Sequence, residues 1–179
     1  MNIYDEKQVK PAVGVSSCLL GNEVRYDGTD KYCPYIVDAL GELFSLTAFC
    51  PEVAIGLGIP RPPIQLVSMD DEIHLRGVDE PHQDVTDEMQ AYVQGLLAEL
   101  QSLSGYIVKA RSPSCGLADV PVYNVDGSPV TENASGLFAQ AIQELFPELP
   151  VTNEEAMLEE KARNDFISQV LNYFQARQA

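Results

Sequence analysis

Ala12-Val13-Gly14-Val15-Ser16-Ser17-Cys18 is the stretch from which the fold is read. A short apolar run that ends in hydroxyl residues has the composition of a buried strand, and this one stops just before a cysteine. The arrangement recurs twice. Residues 44–49 form a second such run ending immediately before Cys50, and Gly105-Tyr106-Ile107-Val108-Lys109-Ala110 forms a third, followed by the loop Arg111-Ser112-Pro113-Ser114-Cys115-Gly116. Each of three strands therefore delivers a cysteine loop at its carboxyl end.

Working outward, residues 34–40 read as a helix opened by Pro34 and stopped by Gly41. Residues 85–103 read as the clearest helix, because Met89, Tyr92, Val93, Leu96, Leu97 and Leu100 recur at helical spacing. Two hairpins are expected, one pairing 64–67 with 73–75 and one over 122–130 turning at Asp126-Gly127. A helix over 135–145, a short strand over 149–151 and a closing helix over 154–174 complete the chain. Gly56-Leu57-Gly58-Ile59-Pro60-Arg61-Pro62-Pro63 admits no regular element and makes a stiff loop. Strands alternating with helices imply an α/β fold, a mostly parallel, Rossmann-like sheet flanked by helices. Sites in such open sheets form outside the carboxyl ends of the strands, which would gather Cys18, Cys50 and Cys115 at one edge.

The 179 residues, 45% of them hydrophobic, suffice for one buried core. Eleven Lys and Arg stand against 27 Asp and Glu, for a formal charge of -16. That balance repels phosphate backbones and anionic membrane surfaces, so neither nucleic acid nor membrane is an expected partner. The acids concentrate between Asp70 and Glu88 and at Glu154, Glu155, Glu159 and Glu160, which reads as solvated surface. The opening residues are polar and no stretch approaches a membrane span, so the expected location is cytoplasmic. Thiols in that reducing compartment persist as metal ligands, nucleophiles or inert core groups.

A thiol at a sheet mouth near Arg25, Arg61, Lys109 and Arg111 is expected to be held as the thiolate that metal binding requires. Three thiolates suit zinc or an iron-sulfur cluster. Closed zinc sites favour four ligands in closely spaced pairs, and this sequence has no C-x-x-C. A cubane cluster on three cysteines leaves one iron open as a Lewis acid. Cys33, beside Pro34 at a helix start, is assigned to structure, and stands as the fourth ligand should three be too few. Glu52 would bring a carboxylate to the same edge for acid-base work, or else only begin a helical turn. Asp27 reads as a catalytic acid or, more simply, as a turn residue paired with Arg25. Ser112 and Ser114 could position substrate or stabilise a developing anion, or serve only the turn.

The blocks Val15-Ser16-Ser17-Cys18-Leu19-Leu20-Gly21, Arg25-Tyr26-Asp27-Gly28, Cys50-Pro51-Glu52-Val53, Pro60-Arg61-Pro62-Pro63 and Lys109 through Gly116 resemble the bacterial DUF523 family, whose characterised members are thiouracil desulfurases. The resemblance implies one DUF523-like domain over 1–179, with a core of 11–155 and a C-terminal helix of 156–179. It also implies a [4Fe-4S] cluster on Cys18, Cys50 and Cys115, with a substrate sulfur on the open iron and a thiolated pyrimidine such as 2-thiouracil losing that sulfur without net redox change. By the same resemblance Glu52 acts as acid-base residue, Ser112 or Ser114 holds substrate or relays a proton, and Arg25, Asp27, Arg61 and Lys109 contact the base. The chain departs from the family pattern at Thr29-Asp30 and in carrying Cys33. A different outcome would be a non-catalytic iron-sulfur or zinc protein for sulfur handling, with Cys33 completing a four-thiolate set.

Overall fold

The computed structural model describes residues 9–178. Its strands and helices in chain order are β1 (Ala12–Ser16), α1 (Gly41–Leu43), β2 (Ser45–Phe49), α2 (Pro51–Ala54), β3 (Ile64–Met69), β4 (Glu72–Gly77), α3 (Thr86–Gly95), α4 (Leu97–Ser102), β5 (Gly105–Val108), β6 (Val120–Asn124), β7 (Pro129–Ala134), α5 (Leu137–Leu145), β8 (Val151–Asn153) and α6 (Glu160–Ala176). The first sheet is wholly parallel, in the order β2-β1-β5-β8. The expected α/β fold with a parallel sheet flanked by helices is therefore present.

Period-two alternation divides that sheet into two faces. Val13 and Val15 of β1 and Ile107 of β5 face one way, into a core with Ile36, Leu40, Phe166 of α6 and Val170 of α6. Tyr106 and Val108 face the other way, into a core shared with α3, α4, α5 and the second sheet. On this second face Gly14 lies under the Tyr106 ring, where a Cβ would sit 2.5 Å from ring carbons. Only glycine lets β1 and β5 pair in register there.

The two expected hairpins form, and they also join. β3 pairs parallel with β6, so β4-β3-β6-β7 is a second, mixed four-stranded sheet. Several boundaries differ from the sequence reading. The 85–103 helix is two helices, because Gly95 lowers helix propensity and Leu96 leaves helical geometry (φ -96, ψ 2). The third strand ends at Val108, where the Lys109 amide turns to the Ser16 hydroxyl (2.9 Å). The last strand is Val151–Asn153, following Pro150, which lacks an N–H. The closing helix begins at Glu160, and residues 154–159 have another role described below. The predicted helix after Pro34 is a π-helical turn over Tyr35–Leu40.

In the first sheet, the chain leaves β1 toward β2 on one side, and β5 lies on the other. The topological switch point is thus between β1 and β5, where open α/β sheets place a crevice. Among the described residues, no helix is long and apolar enough to cross a membrane.

Candidate three-cysteine site

A cavity of about 410 Å³ opens at this switch point, and Cys18, Cys50 and Cys115 all line it. Cys18 lies in the 3-10 turn Ser17–Leu20 that follows β1 directly. Its carbonyl accepts from the Lys31 amide (2.9 Å), which folds the 21–31 loop back over the turn. Cys50 precedes α2, whose first helical residue is Pro51, so Glu52 falls in the first turn and points from the same edge. Cys115 sits in the loop after β5, and Ser112 Oγ accepts from the amides of Ser114 (3.3 Å) and Cys115 (3.1 Å) to shape that loop. The expected convergence of three cysteines is present in the geometry.

The loop is also held from behind by α5. The amides of Phe138 (2.9 Å) and Ala139 (3.2 Å) donate to the Ser114 carbonyl, and the Gly136 amide donates to Gly116 (2.9 Å). A Cβ on Gly136 would meet the Ser114 carbonyl carbon at 2.4 Å, although the backbone there (φ -63) suits any residue. Gly136→Ala should therefore weaken the Cys115 loop through steric push alone. The expected outcome is a lower thermal midpoint, by several degrees, and impaired metal retention, measured by scanning calorimetry and metal analysis.

Glu52 is fixed by three bonds. Arg61 donates to its Oε2 through Nε (2.9 Å) and Nη2 (2.8 Å), and Ser114 Oγ donates to Oε1 (2.9 Å). Arg61 spends its remaining donor on the carbonyls of Val24 and Gly58, both at 2.9 Å. Arg61, at 8% exposed, is thus a buried clamp on Glu52, and it also lines the cavity. Ser114 is fully buried and stands behind Glu52, whereas Ser112 lies on the cavity wall. The two serines are thereby separated: one touches the space, the other touches the carboxylate.

Of the remaining predicted contacts, Arg25 and Lys109 line the cavity and Asp27 does not. Asp27 accepts from the Thr29 amide (3.1 Å) and hydroxyl (2.7 Å) and pairs with Arg25 (3.2 Å), a turn built from Asp27 and Thr29. The Thr29 hydroxyl bond holds the Asp27 carboxyl below the usual range, with Arg25 adding to the effect, and the structure places Asp27 in the turn, away from the cavity wall. Cys33 lies outside the cavity, partly buried against the other core.

Glu154 departs from the expected solvated face: it is partly buried and accepts from Lys109 Nζ and from the Ala110 amide (2.7 Å), whereas Glu155 stays exposed, as expected, and pairs with the exposed Arg111. Together they tie the end of β8 to the root of the Cys115 loop. Local spacing carried no signal for this, since 44 residues separate the partners. Ser16, by contrast, had a legible signal as a hydroxyl at a strand end, and it lines the cavity.

The cations do not hold the cysteines as thiolates, contrary to the sequence expectation. Burial pushes the Cys18 thiol up to about 11, with the Cys50 charge adding to it and Lys109 and Arg25 only partly opposing. Burial likewise raises Cys50. Burial and then Glu52 raise Cys115, against which the Ser16 hydroxyl acts. Desolvation therefore exceeds the cationic contribution at all three. Because Cys18 titrates higher folded than at its ordinary 9.0, the folded metal-free chain keeps a proton that the unfolded chain releases. Its stability is present below pH 9 and should decline as pH rises from about 9 to about 11, which denaturant titrations of metal-free protein across that range will measure.

Cys18 and Cys115 are buried and Cys50 is half-buried, so ionising all three together is favoured by nearby positive charge of the kind a bound metal centre would supply. Among the described residues, no group of three or more His, Cys, Asp or Glu side chains is arranged to hold a single metal ion. A single ion would draw its ligands to about 2.0–2.3 Å from one point. A cubane cluster instead takes each cysteine on a different iron, which fits three thiols arranged around the wall of one cavity.

Fold and cavity together define an α/β protein with a three-cysteine pocket at the switch point of a parallel sheet. The chain belongs to the 2-thiouracil desulfurase family, whose profile matches residues 13–154. It is also similar to a solved structure described as a [4Fe-4S]-dependent thiouracil desulfidase, TudS (DUF523Vcz), with 31% identity and a TM-score of 0.65. That alignment covers 87% of this chain and 99% of the other. No curated protein matches the chain.

Proposed function

We propose that the chain removes sulfur hydrolytically from a thiolated pyrimidine such as 2-thiouracil, with a [4Fe-4S] cluster held by Cys18, Cys50 and Cys115. The observation that carries this reading is the meeting of three thiols and the clamped Glu52 carboxylate on one cavity. When bound, the cluster supplies a soft Lewis-acidic iron, free of protein ligands, to which a thiocarbonyl sulfur is attracted.

The residues of the chain then perform proton transfer and positioning. Glu52 takes a proton from water as the water oxygen bonds to the carbon bearing sulfur. The C–S bond breaks and its electron pair leaves with the sulfur; the added hydroxyl gives its proton to that sulfur and stays on the ring carbon as a carbonyl, and Glu52 returns the proton it took, so the sulfur departs as hydrogen sulfide. The sum is 2-thiouracil and water giving uracil and hydrogen sulfide, with no electron donor. Arg61 and Ser114 hold Glu52 in place for this step. Ser112 accepts two backbone amides at its oxygen, which leaves its hydroxyl proton available to the ring oxygen or the developing anion. Lys109 and Arg25, each already paired with an acid, face the cavity as donors to exocyclic oxygens.

A free nucleobase is the substrate favoured by the charge of -16, which opposes nucleic acid and anionic membranes. Four free cysteines suit the reducing cytoplasm. The test is anaerobic incubation of iron- and sulfide-reconstituted protein with 2-thiouracil, following uracil and sulfide together. Equal yields without reductant are expected. A loaded protein that binds thiouracil but releases neither product would instead support the non-catalytic reading.

A further inference from the structure

Glu154, the residue after β8, takes no part in the reaction above, yet its side chain is only 15% exposed. The parallel pairing of β5 and β8 sets Val108 opposite Asn153, so Lys109 and Glu154 leave their strands side by side. The turn that follows is held in place. Asn153 Oδ1 accepts from the Ala156 amide (2.8 Å), and Met157 is buried in the core that holds Val13 and Val15. Both carboxylate oxygens of Glu154 are engaged as a result: Oε1 accepts from Lys109 Nζ, and Oε2 accepts from the Ala110 amide (2.7 Å).

Lys109 is consequently fixed at both ends. Its amide donates to Ser16 Oγ (2.9 Å) at the end of β1, and its ammonium donates to Glu154 and to the Ala110 carbonyl (2.9 Å). Lys109, Ser16 and Ala110 line the cavity, and Glu154 does not. An ammonium has three N–H donors, so two are taken and one is left. Stability is a poor account of this pair. Its side chains are 17% and 15% exposed, and an ion pair so far out of water gains little over an apolar pair of the same shape. What the pair supplies is a fixed position for a long, flexible cation on the cavity wall.

We infer that Glu154 is a positioning residue for substrate recognition, holding the Lys109 ammonium at the cavity wall with one N–H free to donate to an exocyclic oxygen of the bound base. The inference rests on the reading of Lys109 as a substrate contact given above. Glu154 itself touches neither the base nor the reacting atoms. Without it the lysine head is free to leave the wall for solvent, and the oxygen of the base loses a charged donor that was already oriented. The effect belongs to ligands that carry such an oxygen and is absent for those that lack it.

Glu154→Gln keeps an oxygen for the Ala110 amide and removes the charge that holds Lys109, and the full chain, reconstituted anaerobically, serves for the test. The KM for 2-thiouracil is expected to rise about tenfold with kcat near wild type, the scale of one hydrogen bond to a charged group. Pyrimidine-2-thione, which keeps the thiocarbonyl but has no exocyclic oxygen, should compete as well against the variant as against wild type. Lys109→Met should show the same selective loss, and the double variant should be no worse than Lys109→Met alone. Where the variant loads less cluster, uracil binding to the metal-free chains by calorimetry makes the same comparison. The inference is overturned by an unchanged KM, by equal loss of both ligands, by additive effects in the double variant, or by a Glu154→Gln chain that does not fold, which would make the acid part of the fold. Lys109→Met without selective loss would instead strike the reading of Lys109 as a substrate contact, which separates the two failures.

Discussion

Glu52→Gln should slow desulfuration of 2-thiouracil by about 10²- to 10⁴-fold, the range that general acid-base groups contribute. The amide keeps an acceptor for Arg61 or Ser114 but cannot take a proton from water. Its effect belongs in kcat, since Glu52 acts on the attacking water and need not touch the ring. A stability control is required, because Arg61 is buried and the substitution removes its counter-ion. Breaking a buried pair by removing one partner costs about 3–5 kcal/mol. Cluster content and unfolding midpoint measured beside kcat will distinguish lost chemistry from lost folding. Turnover unchanged at full cluster content would remove Glu52 from the mechanism.

Replacing any one of Cys18, Cys50 and Cys115 by alanine should reduce cluster content to a small fraction of wild type and abolish turnover. On the proposed reading, each substitution takes away a cluster ligand for which the cavity wall offers no free substitute. Among the described residues no histidine lines the cavity, and the one carboxylate that does, Glu52, is committed to Arg61 and Ser114. Cys33→Ala should leave iron content and activity near wild type, because Cys33 lies outside the cavity, partly buried against another core. Iron and acid-labile sulfide assays on the four variants, prepared anaerobically, check this directly. A cluster that survives loss of Cys115 but disappears with Cys33 would reverse the ligand assignment.

Much of this arrangement was legible in the sequence because it is local. An apolar run that stops at a cysteine places that cysteine at a strand end, and the parallel-sheet rule then collects strand ends at one edge. Cys18, Cys50 and Cys115 follow from that reasoning, and Glu52 follows from its place two residues beyond Cys50. What the sequence concealed depends on long-range pairing. The hairpins read correctly one at a time, yet nothing local told that β3 would pair with β6 to make a second sheet. Glu154 looked like surface because acids usually are; its partner Lys109 sits across the β5-β8 pairing.

Charge was the other difficulty. Counting cations near a cysteine predicts a thiolate, whereas the state of a buried thiol depends on desolvation, which sequence spacing does not report. Ser112 and Ser114, indistinguishable as Ser-Pro-Ser in sequence, are separated by the amides of α5 that turn the Ser114 backbone inward.

The most direct test is the position of iron in crystals of the reconstituted protein grown without oxygen, located by anomalous scattering at the iron edge. The account predicts four irons in the switch-point cavity, three of them bonded singly to Cys18, Cys50 and Cys115 and one without a protein ligand. A single tetrahedral ion, or a centre that takes Cys33 as its fourth ligand, would contradict it.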